Sequence, residues 1–233
     1  MIKIERKLTD KAQKAIVSLQ KAEAGNSSYN TLEVNSALRE MFHNKCYICE
    51  NKQVTSYNIE HLYPHRNNKG LKYDWNNLFL SCAHCNNTKL GKYEPIIDCT
   101  IENVEELIAF RKKGYFGTDE ELVFEKLDLR TETINTVNLL NEVYYGSTPQ
   151  KKMEAKILRR ILRKELSGFK EFVREYKEAE DDEKEDLECL LKLQLSDSSP
   201  FAAFKRWLIR DNKETYPELI KYIPYQVIGI VQN

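Results

Sequence analysis

No stretch of about 18 consecutive apolar residues occurs in the 233-residue chain, so no transmembrane helix is expected. The start, MIKIERKLTDKAQK, is charged from residue 3 and has no apolar leader core, which makes the cytoplasm the expected compartment. Excess charge is missing too: 36 Lys and Arg balance 36 Asp and Glu. A general affinity for polyanions is thereby excluded, and any nucleic-acid contact has to come from a local basic patch. Internal repeats and low-complexity tracts are absent. With 41% hydrophobic and 31% charged residues, the composition is that of a soluble globular chain.

Residues 9–24 read as a helix capped by Thr9 or Asp10, with Ile16 and Leu19 spaced on one side and Gly25 ending it. Residues 31–43 read as a second helix, anchored by Leu32, Leu38 and Phe42. Short strand-prone runs follow at Tyr57–Leu62 and Leu78–Leu80, separated by the polar loop Arg66–Gly70. From residue 101 the pattern is helical, with candidates at 102–113, 119–127, 131–145, 149–178, 183–195 and 200–210. Gly146-Ser147-Thr148-Pro149 is a break that can cap the fourth of these. The acidic run 178–188 reads as a solvated helix connection. The expected class is mainly α with a small α+β element. It divides into an N-terminal helical segment (1–43), a compact middle (44–95) and a helical remainder (96–233).

Four of the six cysteines form two pairs, Cys46-x2-Cys49 and Cys82-x2-Cys85. In a reducing compartment such pairs are metal ligands more often than disulfides. Two CxxC turns complete a tetrahedral zinc site with no open position, which is a structural site. A rival set, Cys46, Cys49, His61 and His65, approaches the spacing of a Cys2His2 finger. Pro64 opposes it, because the two histidines would need an unbroken helical turn between them. His43 and His84 are expected at the surface or behind the ligands, and Cys99 and Cys189 as packing residues.

Between the pairs lie Glu60-His61-Leu62-Tyr63-Pro64 and Asn77-Leu78, and after them Cys85-Asn86-Asn87-Thr88-Lys89. A neutral imidazole can take a proton from water near pH 7. A carboxylate and an amide oxygen can hold a hard divalent cation such as Mg²⁺, which offsets charge developing on a phosphate. These residues, in this order and spacing, resemble the HNH endonucleases of the ββα-metal fold, in the subgroup with a four-cysteine zinc site. The resemblance covers about 44 residues. It implies His61 as the general base, Glu60 and Asn86 as ligands of the catalytic ion, and Asn77 as a brace of the loop between the strands. Many members of that family carry Asp before the base or His at the last ligand position. Asn86 can equally cap the short helix after Cys85.

His65 is a candidate contact for phosphate or leaving group, or a plain loop residue. Lys69, Lys72, Lys89 and Lys92 cluster nearby in sequence and can attract a backbone. Lys152, Lys156, Arg159 and Arg163 share one face of a helix whose other side Ile157, Leu158 and Ile161 can bury. The wider layout is similar to PtuB-type proteins, the HNH component of Septu and of certain retron anti-phage systems. That similarity implies a PtuA-like ATPase partner docking on the helical remainder. In retron versions it also implies a reverse transcriptase with its DNA–RNA hybrid. The substrate stays open between DNA and RNA such as tRNA. The competing interpretation is a non-catalytic, zinc-stabilised module that binds nucleic acid or protein.

Overall fold

The structure, a computed structural model, describes residues 1–114 and 121–224. Helix α1 (Asp10–Ala24) starts where Thr9 accepts the Ala12 amide, and it buries Ala12, Ala15, Leu19 and Ala22 along one stripe. Helix α2 (Leu32–Met41) is capped the same way by Thr31 and buries Val34, Ala37 and Leu38. Leu32 is not an anchor: as the first helical residue it points to solvent, 81% exposed, while Phe42 just past the helix end is buried.

Strands β1 (Tyr57–His61) and β2 (Leu78–Cys82) pair antiparallel, with Ile59 opposite Leu80 and His61 opposite Leu78. Between them run one helical turn, α3 (Lys69–Lys72), and a 3₁₀ turn at Trp75–Asn77. Helix α4 (Ala83–Lys89) follows β2 without a connecting loop. Its cap is Cys82, whose Sγ accepts the Cys85 amide; Asn86 lies inside the helix and does not cap it.

Two expected helices are absent. The spans 102–113 and 119–127 hold a β-hairpin of β3 (Ile108–Lys113) and β4 (Glu121–Lys126), preceded by a 3₁₀ turn at Val104–Glu106; residues 119 and 120 lie outside the described residues. The cause is packing. Phe110 faces Phe124 across the register, and both meet Phe204 edge-on, at 5.5 and 5.8 Å between centroids. Buried Leu122 and Phe124 alternate along β4 with the better exposed Glu121, Val123 and Glu125. That period of two outweighs the charged flanks that make the segment look helical.

Helices α5 (Thr131–Tyr145), α6 (Pro149–Glu178), α7 (Asp181–Leu195) and α8 (Ala202–Asp211) complete the chain as described. Ala155, Leu158, Leu162, Leu166, Phe169, Val173 and Tyr176 form the buried stripe of α6, at spacings of three or four. Ile157 is off that stripe and 52% exposed, contrary to expectation. Cys189 is also exposed on α7, whereas Cys99 is buried.

One hydrophobic core runs from Met1 to Trp207 and takes side chains from all three sequence regions. A smaller one joins the distal half of α6 to α7, to Ile209 of α8 and to Leu219. Arg6 ties the N-terminal segment to the middle: its guanidinium donates to the carbonyls of Trp75, Asn76 and Leu78 at 2.9–3.1 Å. No described helix is long and apolar enough to cross a membrane.

Candidate active site and metal centre

The four paired cysteines converge. Their sulfurs all lie within 4.8 Å of one another, and all four residues are buried. A tetrahedral ion with Zn–S bonds near 2.3 Å needs sulfurs about 3.8 Å apart, and Cys49 and Cys82 stand at 3.9 Å. The first turn closes through the Glu50 amide to the Cys46 carbonyl, with Glu50 in the left-handed region at φ 59°. Burial raises the Cys46 thiol, but hydrogen bonding from Cys49, Cys82 and Cys85 outweighs it and holds Cys46 well below its ordinary range. Such a donor set fits a tetrahedral metal ion such as zinc and leaves no position for substrate. The Cys2His2 alternative fails, since His61 and His65 lie outside this cluster.

Glu50 connects the metal centre to the far helices. Its carboxylate meets the Met1 ammonium at 2.9 Å and Lys45 at 3.2 Å, and its carbonyl accepts from the Phe201 amide. Burial alone would raise this acid, but the two cations lower it to about 2.

His61 ends β1 with its ring nearly buried. Its Nε2 lies 3.0 Å from the carbonyl oxygen of Lys72. A carbonyl only accepts, so Nε2 carries the proton and Nδ1 keeps its lone pair. Burial depresses the imidazole below its ordinary value, reinforced by the ammonium charges of Lys89 and Lys72, although the bond to the Lys72 carbonyl raises it. The ring is therefore neutral at neutral pH, with one basic nitrogen.

Asn77 sets the loop that supplies this carbonyl. Its Nδ2 donates to the carbonyls of Tyr63 and Leu71, at 2.8 and 2.9 Å, and its Oδ1 accepts the Tyr63 amide at 2.8 Å. Both amide protons are thus spent on backbone carbonyls, one of them next to Lys72.

Glu60 precedes His61 on the strand, so its side chain lies on the opposite face. Its carboxylate is buried against Lys89 at 2.7 Å and accepts from the Tyr47 hydroxyl at 2.5 Å. Burial pushes it up to about 7, with Lys89 and Tyr47 pulling the other way. Lys89 also donates to the carbonyls of His61 and Leu62, at 3.1 and 2.9 Å. That corrects the expectation of a phosphate contact: Lys89 is 1% exposed and its ammonium is consumed inside. Asn86, half-buried one turn earlier on α4, makes no side-chain hydrogen bond among the described residues.

A hairpin, a helix across it, two cysteine pairs and an oriented imidazole make one unit. Residues 46–91 match the HNH endonuclease family model. They form an HNH domain. Among curated proteins, the Septu protein PtuB of Bacillus thuringiensis is 30% identical over 140 residues, 51% of this chain and 54% of that protein. The Septu protein PtuB of Bacillus mycoides is 37% identical over 84 residues, 30% of this chain and 28% of that protein. The matches thus span about half or less of the length of these relatives. No solved structure matches at a significant level.

The HNH domain leans on residues that no motif marks. Tyr29, in the α1–α2 connection, packs edge-on against the His61 ring at 4.8 Å. Arg6 holds the carbonyls on either side of Asn77. Neither has a local signal, because each meets its partner across at least 32 residues of sequence. His84 is not a metal ligand; it joins α4 to Glu154 at 2.6 Å and to the Val143 carbonyl at 2.8 Å. On α6, Lys152, Lys156 and Arg163 are exposed. Arg159 turns inward instead, donating to the Tyr144 carbonyl and covering the Tyr145 ring.

Proposed function

We propose that the chain is a metal-dependent phosphodiester hydrolase, the nuclease of a Septu-type anti-phage defence complex. The observation that carries this reading is the His61 tautomer, which presents a neutral Nδ1 lone pair on a ring fixed at its other nitrogen. Water held against Nδ1 gives up its proton there, its oxygen attacks phosphorus, and the opposite phosphorus–oxygen bond breaks. The leaving oxygen takes a proton from solvent. Asn86 and Glu60 would hold a divalent ion such as Mg²⁺, which supplies charge neutralisation for the phosphate. The four-cysteine centre holds zinc as a structural ion.

In this reading residues 44–95 do the chemistry, and residues 1–43 brace them through Arg6 and Tyr29. Residues 96–233 dock a PtuA-like ATPase and contact nucleic acid through Lys152, Lys156 and Arg163, with Arg159 shaping that face. In a retron-type complex the reverse transcriptase and its DNA–RNA hybrid join the assembly in the cytoplasm. The substrate class is DNA or RNA such as tRNA.

One observation favours a second reading, a non-catalytic zinc-stabilised binding module: Glu60 is already paired with Lys89. Cleavage separates the two. The chain, purified with its genomic neighbours, is assayed with Mg²⁺ on plasmid, phage DNA and total tRNA. The hydrolase reading expects cleavage that His61→Ala abolishes while fold and metal content persist. Equal cleavage by His61→Ala, or no cleavage by the parent, rejects it.

A further inference from the structure

His61 has a second imidazole beside it. The rings of His61 and His65 lie 4.8 Å apart between centroids, at 63°. They are held by the backbone in opposite senses. His61 points Nε2 at the Lys72 carbonyl, which can only accept. His65 points Nδ1 at the Asn67 amide, 3.1 Å away, which can only donate. The lone pair of His65 therefore sits on Nδ1 and its proton on Nε2. Arg66 and Asn67 both adopt left-handed φ, 42° and 67°, in the turn that aims this amide at the ring. A second bond, from the Asn68 amide to the His65 carbonyl, closes the same turn at 2.6 Å.

Neither remaining nitrogen has a hydrogen-bond partner among the described residues. One ring thus offers an acceptor, Nδ1 of His61, and its neighbour offers a donor, Nε2–H of His65. With ring nitrogens about 1.2 Å from their centroids, the two open atoms are at most about 7 Å apart, a span in which a water donating to Nδ1 of His61 can stand beside a phosphate oxygen accepting from Nε2–H of His65. Tyr29, edge-on at 4.8 Å and 81°, limits how far the His61 ring can turn away.

We infer that His65 binds the scissile phosphodiester as a neutral hydrogen-bond donor, Nε2–H to a non-bridging phosphate oxygen, while His61 takes the proton from water. This rests on the hydrolase reading and deepens it by giving the two histidines different tasks. His65 is not the acid for the leaving oxygen in this arrangement. Losing the Nε2 proton from a ring whose Nδ1 is bare would create an imidazolate, and adding a proton at Nδ1 would break the bond from Asn67.

Full-length parent, His65→Leu, His65→Gln and His61→Ala are compared in Mg²⁺-dependent cleavage across pH. Glutamine keeps an N–H near the position of Nε2, and leucine removes it. His65→Leu is expected to lose about 100-fold in kcat, the scale of one lost transition-state donor, with KM and the acid limb of the pH profile unmoved. His65→Gln is expected to recover most of that loss. Parent-like turnover by His65→Leu, failure of His65→Gln to recover any of it, or a displaced acid limb overturns the inference. A second measurement needs no turnover: ¹⁵N shifts of His65 during titration with dimethyl phosphate. Movement of Nε2 with Nδ1 unchanged is expected, and no movement overturns the contact. A parent that binds dimethyl phosphate but cuts nothing rejects the hydrolase reading and keeps the contact.

Discussion

Nε2 of His61 and the carbonyl oxygen of Lys72 stand 3.0 Å apart, and this single bond decides which imidazole nitrogen faces substrate. Because the same ring is buried, its protonated form is disfavoured and its pKa lies below the ordinary 6.5. The sign follows directly. A base works only when neutral, so a lowered value extends the active form toward acid. With divalent metal saturating, so that Glu60 stays ionised, cleavage is expected to have its acid midpoint below pH 6.5 and to fall tenfold per unit past it. A pH–rate profile checks this, and a midpoint above 6.5 contradicts it.

Asn77 holds the segment that carries the Lys72 carbonyl. Asn77→Ala strands two carbonyls and one amide that it now satisfies. A loss of about 2–4 kcal/mol is expected, because several buried groups lose partners together. Urea unfolding measures it. Turnover should fall further than stability explains, since His61 loses its fixed orientation.

Removing one sulfur should remove the ion and the fold together. Cys82 is both a member of the cluster and the cap of α4, and because serine can still accept the Cys85 amide, Cys82→Ser isolates the loss of the sulfur. Lower zinc content by elemental analysis and a lower melting temperature are expected in the same sample, because binding energy at such a site is folding energy. An unchanged melting temperature after chelation contradicts the structural assignment.

Glu50 predicts an acid limit. Its carboxyl is lowered from 4.5 to about 2 in the folded chain. A depressed acid stabilises fully above its unfolded value and loses that contribution as pH falls from about 4.5 toward 2. The contribution at neutral pH is about 3 kcal/mol from the size of the shift. In Glu50→Gln, unfolding free energy measured between pH 5 and 2 should vary less with pH than in the parent. It should also be lower at pH 7, where Lys45 is left with a neutral partner.

Much of this was legible in residue order. The cysteine pairs, the strands around Glu60 and Leu78, and helices α5 and α6 carry local signals: spacing, alternation, a Thr-Pro cap. The hairpin at 108–126 did not, because its strand character comes from Phe204, 80 residues beyond Phe124. Lys89 misled for a related reason. A lysine at the end of a short helix looks solvated, and only the folded chain brings Glu60 beneath it. Leu32 and Ile157 show the converse, apolar residues at plausible helical spacing that fall off the stripe the core selects.

The Glu60–Lys89 pair has a consequence for how a metal would enter. A carboxylate with an internal ammonium against it is a site already holding a resident cation. A divalent ion taking Glu60 as ligand would have to displace Lys89, so its affinity would reflect the difference between two cations and not the strength of one. Such an exchange keeps the vacant site electrically quiet and properly shaped. It also raises the free metal needed for occupancy, so Lys89→Met should bind Mn²⁺ more tightly than the parent in calorimetric titration.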